Sequence, residues 1–152
     1  MNQGVQRWVK ALNNLYNAND ALYANDSDVM GFEWIDCDHP DKGVVSFIRR
    51  GSTPSKQLLF ICNFVPVEYD NYEVGAPCFT TYKEVLNSDD VQFGGAGRLN
   101  SGKIKAIDKK TERMPYSISV TVPPLSTVVL EYDYTDVTPE DILKKKEAEK
   151  KA

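Results

Sequence analysis

The apolar positions near the start of the chain recur with a helical period. Val5, Trp8, Val9, Leu12, Leu15 and Tyr16 fall at i, i+3, i+4, i+7, i+10 and i+11, with Gln6, Arg7, Lys10, Asn13 and Asn14 between them. That spacing lines one face of a 3.6-residue helix and leaves a polar back. The pattern ends in "NANDALYANDSD", whose Asn and Asp residues favour caps and turns, with room for a helical turn at Ala21 to Tyr23.

From Gly31 onward the period drops to two. "FEWID", "GVVSFIRRG", "QLLFICNF", "CFTTYKEVLN", "YSISVTVP" and "STVVLEYDY" are rich in β-branched and aromatic residues. Between them lie "DHPDKG", "GSTPSK", "VPVEYDN", "NSDD", "GGAG" and "VPPLS", which carry turn chemistry. In "YSISVTV" the apolar Tyr116, Ile118, Val120 and Val122 alternate with Ser117, Ser119 and Thr121, which predicts one buried and one solvated face. Short strands at this spacing favour an antiparallel sandwich over a βαβ fold. The predicted fold class is therefore all-β, an antiparallel β-sandwich preceded by one N-terminal amphipathic helix. The domain reading is a helical segment at 1–30, the sandwich at 31–134 and a charged tail at 135–152. In the tail, "TPEDILKKKEAEKKA" offers Thr138 as N-cap and Pro139 at the first helical position, and predicts a short solvated helix or a disordered tail.

Composition narrows the function classes. The 152 residues carry a net charge of −4, and no Lys/Arg cluster interleaved with aromatics occurs in the body of the chain. That argues against a nucleic-acid partner. No apolar run approaches the roughly 20 residues of a membrane span. The start, "MNQGVQRWVK", lacks the plan of a secretion signal. Cys37, Cys62 and Cys78 are odd in number and widely spaced, which predicts free thiols in a reducing cytoplasm and no metal or cofactor site.

The densest chemistry lies in "GFEWIDCDHPDKGVVSFIRRG", with Glu33, Asp36, Asp38, His39 and Asp41. Strand alternation sets Glu33 and Asp36 on opposite faces, and paired acid/base carboxylates must converge. "DCDHPDKG" reads as a solvated turn, and His39, the only histidine, lacks the partners of a nucleophilic mechanism. "FGGAGRLNSGK" has the Gly97-to-Gly102 spacing of a phosphate loop followed by Lys103. Ile104 stands where Ser or Thr would hold magnesium, so these glycines read as permissive loop backbone. Trp34 reads as a strand residue in core or interface. Tyr69 and Tyr72 read as residues of a polar loop open to solvent, and no aromatic row is evident at strand spacing. No catalytic constellation emerges.

The wording of five ordered segments carries a resemblance. "GVQRWVKALNNLY", "GFEWIDCDHPDKGVVSFIRRG", "LLFICNFVPVEYDNYEVGAP", "YKEVLNSDD" with "FGGAGRLN", and "PYSISVTVPPLSTVVLE" together resemble the C-terminal region of bacterial 1,4-α-glucan (glycogen) branching enzymes of the α-amylase superfamily. The resemblance covers residues 4 to 131. Val65, Tyr69, Ser88 and Ala96 depart from the family's usual residues, all in turns or loops. It implies an α-amylase-type C-terminal sandwich beside a (β/α)8 barrel. That barrel cleaves α-1,4 links and rejoins chains through α-1,6 links with an Asp nucleophile, a Glu acid/base and a second Asp, none of whose motifs occurs here. The resemblance equates the segment before Gly31 with the last barrel helix. Val5, Trp8, Leu12 and Leu15 then become barrel-facing candidates. The implied partners are that barrel and an α-glucan such as glycogen. On this reading the fragment pairs, aggregates or leaves residues 1–20 mobile. The alternative is a stand-alone glucan-binding module contacting sugar through Trp34, Tyr69 or Tyr72. An immunoglobulin-like adhesion domain lacks the required Cys–Trp–Cys pattern.

Overall fold

The computed structural model describes residues 2–152. The amphipathic start forms α1 (Gln3–Ala18), and the Asn2 side chain caps it by accepting from the Val5 N–H at 3.3 Å. Eight strands follow: β1 (Phe32–Asp36), β2 (Val44–Arg49), β3 (Gln57–Asn63), β4 (Tyr69–Ala76), β5 (Thr81–Asn87), β6 (Lys103–Lys105), β7 (Tyr116–Val122) and β8 (Thr127–Tyr132). Six of them form one antiparallel sheet in the order β1-β2-β3-β8-β5-β6, and β4 pairs with β7 in a second sheet. The two sheets pack face to face. Ile48, Leu59 and Leu130 of the large sheet meet Val74, Ile118 and Val120 of the small one, all at most 2% exposed. Each such side chain contributes about 1.5–3 kcal/mol on burial.

β3 and β8 are nearly continuous apolar runs because both their faces are covered. Leu59 and Ile61 point into the sandwich, whereas Leu58 and Val129 point outward into a second cluster with Ala21, Leu15 and Leu22. The helix α1 is thus seated on the outer face of the large sheet. Its first half rests on a single 3-10 turn at Val91–Phe93. The Trp8 ring meets Phe93 edge-on at 5.1 Å, and Arg7 Nη1 donates to the Gln92 carbonyl at 3.3 Å. Gly4 permits this approach, since a Cβ there would lie 2.4 Å from the Phe93 carbonyl oxygen.

Three expectations change. Tyr69 and Tyr72 are not in a loop but in β4, which pairs with β7 through Tyr69↔Val122 and Tyr72↔Val120. The register shifts between them, with Asn71 at φ +51°, so a bulge supplies the Asp-Asn composition that reads as a turn. Ser117 is also buried, on the face expected to be solvated. The chain folds back over it, and Ile107 exchanges backbone hydrogen bonds with Ser117. The third concerns the carboxylates of β1. A register shift between Trp34 and Asp36 places Glu33 opposite Ile48 and Asp36 opposite Ser46. Those partners share one face of β2, so the bulge brings the two carboxylates to the same side of β1.

The tail forms α2 (Pro139–Lys151). The Thr138 hydroxyl accepts from the Asp141 N–H, and the Asp141 carboxylate accepts from the Thr138 N–H in return. This capping box holds the Asp141 carboxyl below its ordinary range. No residue of α2 is buried.

Candidate functional site

The β1–β2 connection holds its charges in pairs that do not converge. Glu33 is taken by Arg50 at 2.6 Å, and Asp38 by Arg113. Asp36 bridges to His39, whose Nδ1 lies 2.8 and 3.0 Å from the two carboxylate oxygens. That hydrogen bond, with the Asp36 charge behind it, raises the imidazole above its ordinary value of 6.5. The neighbouring Cys37 thiol is pushed up by desolvation and by Asp38, the reverse of what a thiolate nucleophile requires. The segment brings together a His–Asp pair, not an acid/base couple across a scissile bond.

This pair stands at the rim of a cleft of about 360 Å³ between the β1–β2 end of the large sheet and β4. Ser46, Tyr72, Glu73, Lys42, Lys110 and Glu112 are among the polar residues that line it further. Tyr69 and Tyr72 sit side by side at 5.1 Å, and the Tyr69 hydroxyl donates to the Lys42 carbonyl at 2.7 Å. Burial, reinforced by the Asp36 charge, pushes the Tyr72 phenol up to about 12.

Trp34 lies elsewhere, on the outer face of the large sheet. There the registers align a cross-strand row, Trp34↔Phe47↔Phe60↔Val129↔Leu86, running from β1 to β5. Phe47 and Phe60 stack at 5.0 Å with planes 6° apart, and Trp34 meets Phe47 edge-on at 5.8 Å. An aromatic row therefore exists, although none is evident at the spacing of a single strand. It is assembled across strands, so spacing along any one strand does not reveal it. The helix side covers the Val129 end through Leu15 and Leu22, while Trp34 stays 41% exposed.

The structure divides the four helix residues expected to face another domain. Trp8 turns onto Phe93 and Leu15 onto the Leu58–Val129 cluster, within this chain. Val5 lies on an adjacent open stripe with Val9 and Tyr16, at 52%, 49% and 48% exposure. Leu12, half-buried, joins Tyr16, Leu22 and Phe60 in lining a groove of about 330 Å³. At that groove the open stripe of α1 meets the aromatic row. This composite surface is what the sequence reading missed.

The glycine-rich loop already encloses an anion of its own. The Asp89 carboxylate accepts from the backbone N–H of Ala96 at 3.3 Å and of Arg98 at 2.9 Å, and the Gly97 N–H donates to the Asp89 carbonyl. The amides that would cradle a phosphate are spent on Asp89.

The family model for the alpha amylase C-terminal all-beta domain matches residues 34–133. The chain is 45% identical over 126 residues to the 1,4-alpha-glucan branching enzyme GlgB of Clostridium perfringens, covering 82% of this chain and 19% of that enzyme. It is 43% identical over 129 residues to the enzyme of the same name from Synechococcus sp. strain JA-3-3Ab, with 84% and 16% covered. For that of Geobacillus stearothermophilus the identity is 40% over 130 residues, with 86% and 20% covered. The chain thus spans about a fifth or less of the length of these relatives.

Proposed function

Because the chain belongs to the alpha amylase C-terminal all-beta domain family, we propose that it serves as the non-catalytic C-terminal domain of a 1,4-α-glucan branching enzyme. In this reading residues 31–134 are the accessory sandwich and residues 1–30 the last helical segment of the catalytic barrel. The branching transfer belongs to the barrel, and the sandwich stabilises it and helps to position the glucan. The setting is cytoplasmic, which the three free thiols Cys37, Cys62 and Cys78 support.

The observation that carries this reading is the open outer face. Trp34, Val5, Val9 and Tyr16 leave a broad aromatic and aliphatic surface in water, of the kind that marks a docking site. The occupant is the barrel of the same enzyme, in keeping with relatives several times longer than this chain.

The test mixes this chain with a separately produced catalytic portion of the enzyme. The expected result is a stable complex that branches amylose by iodine staining, while this chain alone does not. Branching by the chain alone, or no complex formation, would overturn the reading.

A further inference from the structure

We infer that the glycine-rich loop 88–101 is a bracket that fixes the first half of α1 on the sandwich, and that Glu84 is the positioning residue that latches it. The bracket stands on contacts within this chain, and only its consequence for a barrel rests on the proposed function.

Glu84 shares the inner side of β5 with Tyr82 and lies opposite Leu130, at the strand's register shift. Among the described residues it enters no ion pair. Instead one of its carboxylate oxygens accepts from the Asn100 side chain at 2.8 Å, the Asn100 N–H at 3.2 Å and the Asn87 side chain at 3.2 Å. Hydrogen bonds to an ionised acceptor are about twice as strong as neutral ones. Each asparagine also grips backbone. Asn100 exchanges two hydrogen bonds with the Thr121 backbone of β7, at 2.8 and 2.9 Å. Asn87, only 3% exposed, donates to the Arg98 carbonyl and accepts from the Asp89 N–H. One carboxylate therefore ties together the large sheet, the small sheet and both ends of the loop.

Between those ends the loop is held from within. Asp89 gathers the amides of Ala96, Gly97 and Arg98, and Asp90 caps the 91–93 turn by accepting from the Gln92 N–H at 3.1 Å. Trp8 and Arg7 of α1 rest on that turn. The second half of α1 packs on the sheet directly through Leu15. Residues 3–10 thus take their position from a carboxylate they do not touch. On the proposed function α1 ends the barrel, so the latch sets the angle at which the sandwich is carried.

The experiment measures amide hydrogen exchange by NMR and, in a Trp34→Phe background, the fluorescence of Trp8. Asn100→Asp sets one carboxylate against another. It is expected to speed exchange at residues 6–10 about tenfold and to shift Trp8 to the red, with protection of β3 and β8 unchanged. Adding Glu84→Gln offers an amide donor to the new carboxylate and is expected to recover most of both readouts, which a merely structural loss would not do. Glu84→Ala adds no charge, is expected to act in the same direction as Asn100→Asp, and decides the matter if Asn100→Asp does not fold. The inference fails if residues 6–10 and Trp8 stay parental in the folded variants, if exchange accelerates equally in β3 and β8, or if Glu84→Gln brings no recovery to a folded Asn100→Asp. Complex formation with the catalytic portion is scored separately. A failed latch with an intact complex removes the bracket alone, and a working latch without a complex removes the proposed function alone.

Discussion

His39 shows how much of a side chain's behaviour is set by one neighbour. In the sequence it reads as a residue of a solvated turn without catalytic partners; in the fold it is held by Asp36 in a two-oxygen contact. The raised imidazole carries a definite sign for stability. Below pH 6.5 the folded and unfolded chains both hold the proton, and the pair contributes fully. As pH rises through the raised folded value, the proton leaves and the contribution is lost. An NMR titration is expected to place His39 above 6.5 in the native chain and to return it to that value in Asp36→Asn; equal titration in both proteins would contradict the pairing. Gly4 gives a second residue-scale prediction. Gly4→Ala gains about 1 kcal/mol of helix propensity. Its Cβ, however, meets the Phe93 carbonyl at 2.4 Å, which forces α1 off the 91–93 turn. With Trp34 replaced by Phe, leaving Trp8 as the only tryptophan, the fluorescence of Gly4→Ala is expected to shift to the red. An unshifted, stabilised protein would show that the contact does not hold the helix.

Whether an element could be read from the sequence depended on how local its determinants are. The start of α1 and the cap of α2 were legible because Val5 to Tyr16 and Thr138 to Asp141 interact within a few residues. β3 and β8 were legible as apolar runs, since burial on both faces leaves no alternation to obscure. β4 was hidden because its bulge puts Asp70 and Asn71 inside a strand, and their composition argues for a turn. The β1 bulge likewise reversed the expected facing of Asp36 relative to Glu33. The aromatic row required the pairing of Phe60 with Val129, a tertiary contact that no window along the chain contains. The cleft was hidden for the same reason, because Ser46 and Tyr72 come from different sheets. α2 supplies a sharp prediction at this scale. Replacing Thr138 with Ala removes the hydroxyl that accepts from the Asp141 N–H and leaves only the backbone half of the capping box, at a cost of about 1 kcal/mol to the helix. Since α2 buries no residue, amide exchange over 139–143 is expected to accelerate about fivefold while the global Tm stays fixed. A lowered Tm would mean that α2 packs on the sandwich.

At the scale of the whole molecule, the division into six strands and two gives the faces of the large sheet different tasks. Its inner face meets β4 and β7 and closes the core. Its outer face is closed by α1 only toward Val129, leaving the Trp34 end and the outer stripe of α1 in water. Stability and docking should therefore be separable by mutation. Leu59→Ala, in the closed core, is expected to destabilise by about 2–5 kcal/mol. Trp34→Glu removes a 41%-exposed ring and should leave stability nearly unchanged, while weakening the proposed association with the barrel by about 2 kcal/mol, or ~30-fold. The same substitution, combined with Val9→Glu, should also suppress any concentration-dependent self-association of the isolated chain in sedimentation velocity. On the proposed reading the open surface supplies the attraction for both events, and charge placed on it opposes both. If the double variant associates with itself as strongly as the parent, the outer face is not the contact. If it unfolds, Trp34 belongs to the core after all, and the separation of tasks between the two faces is lost.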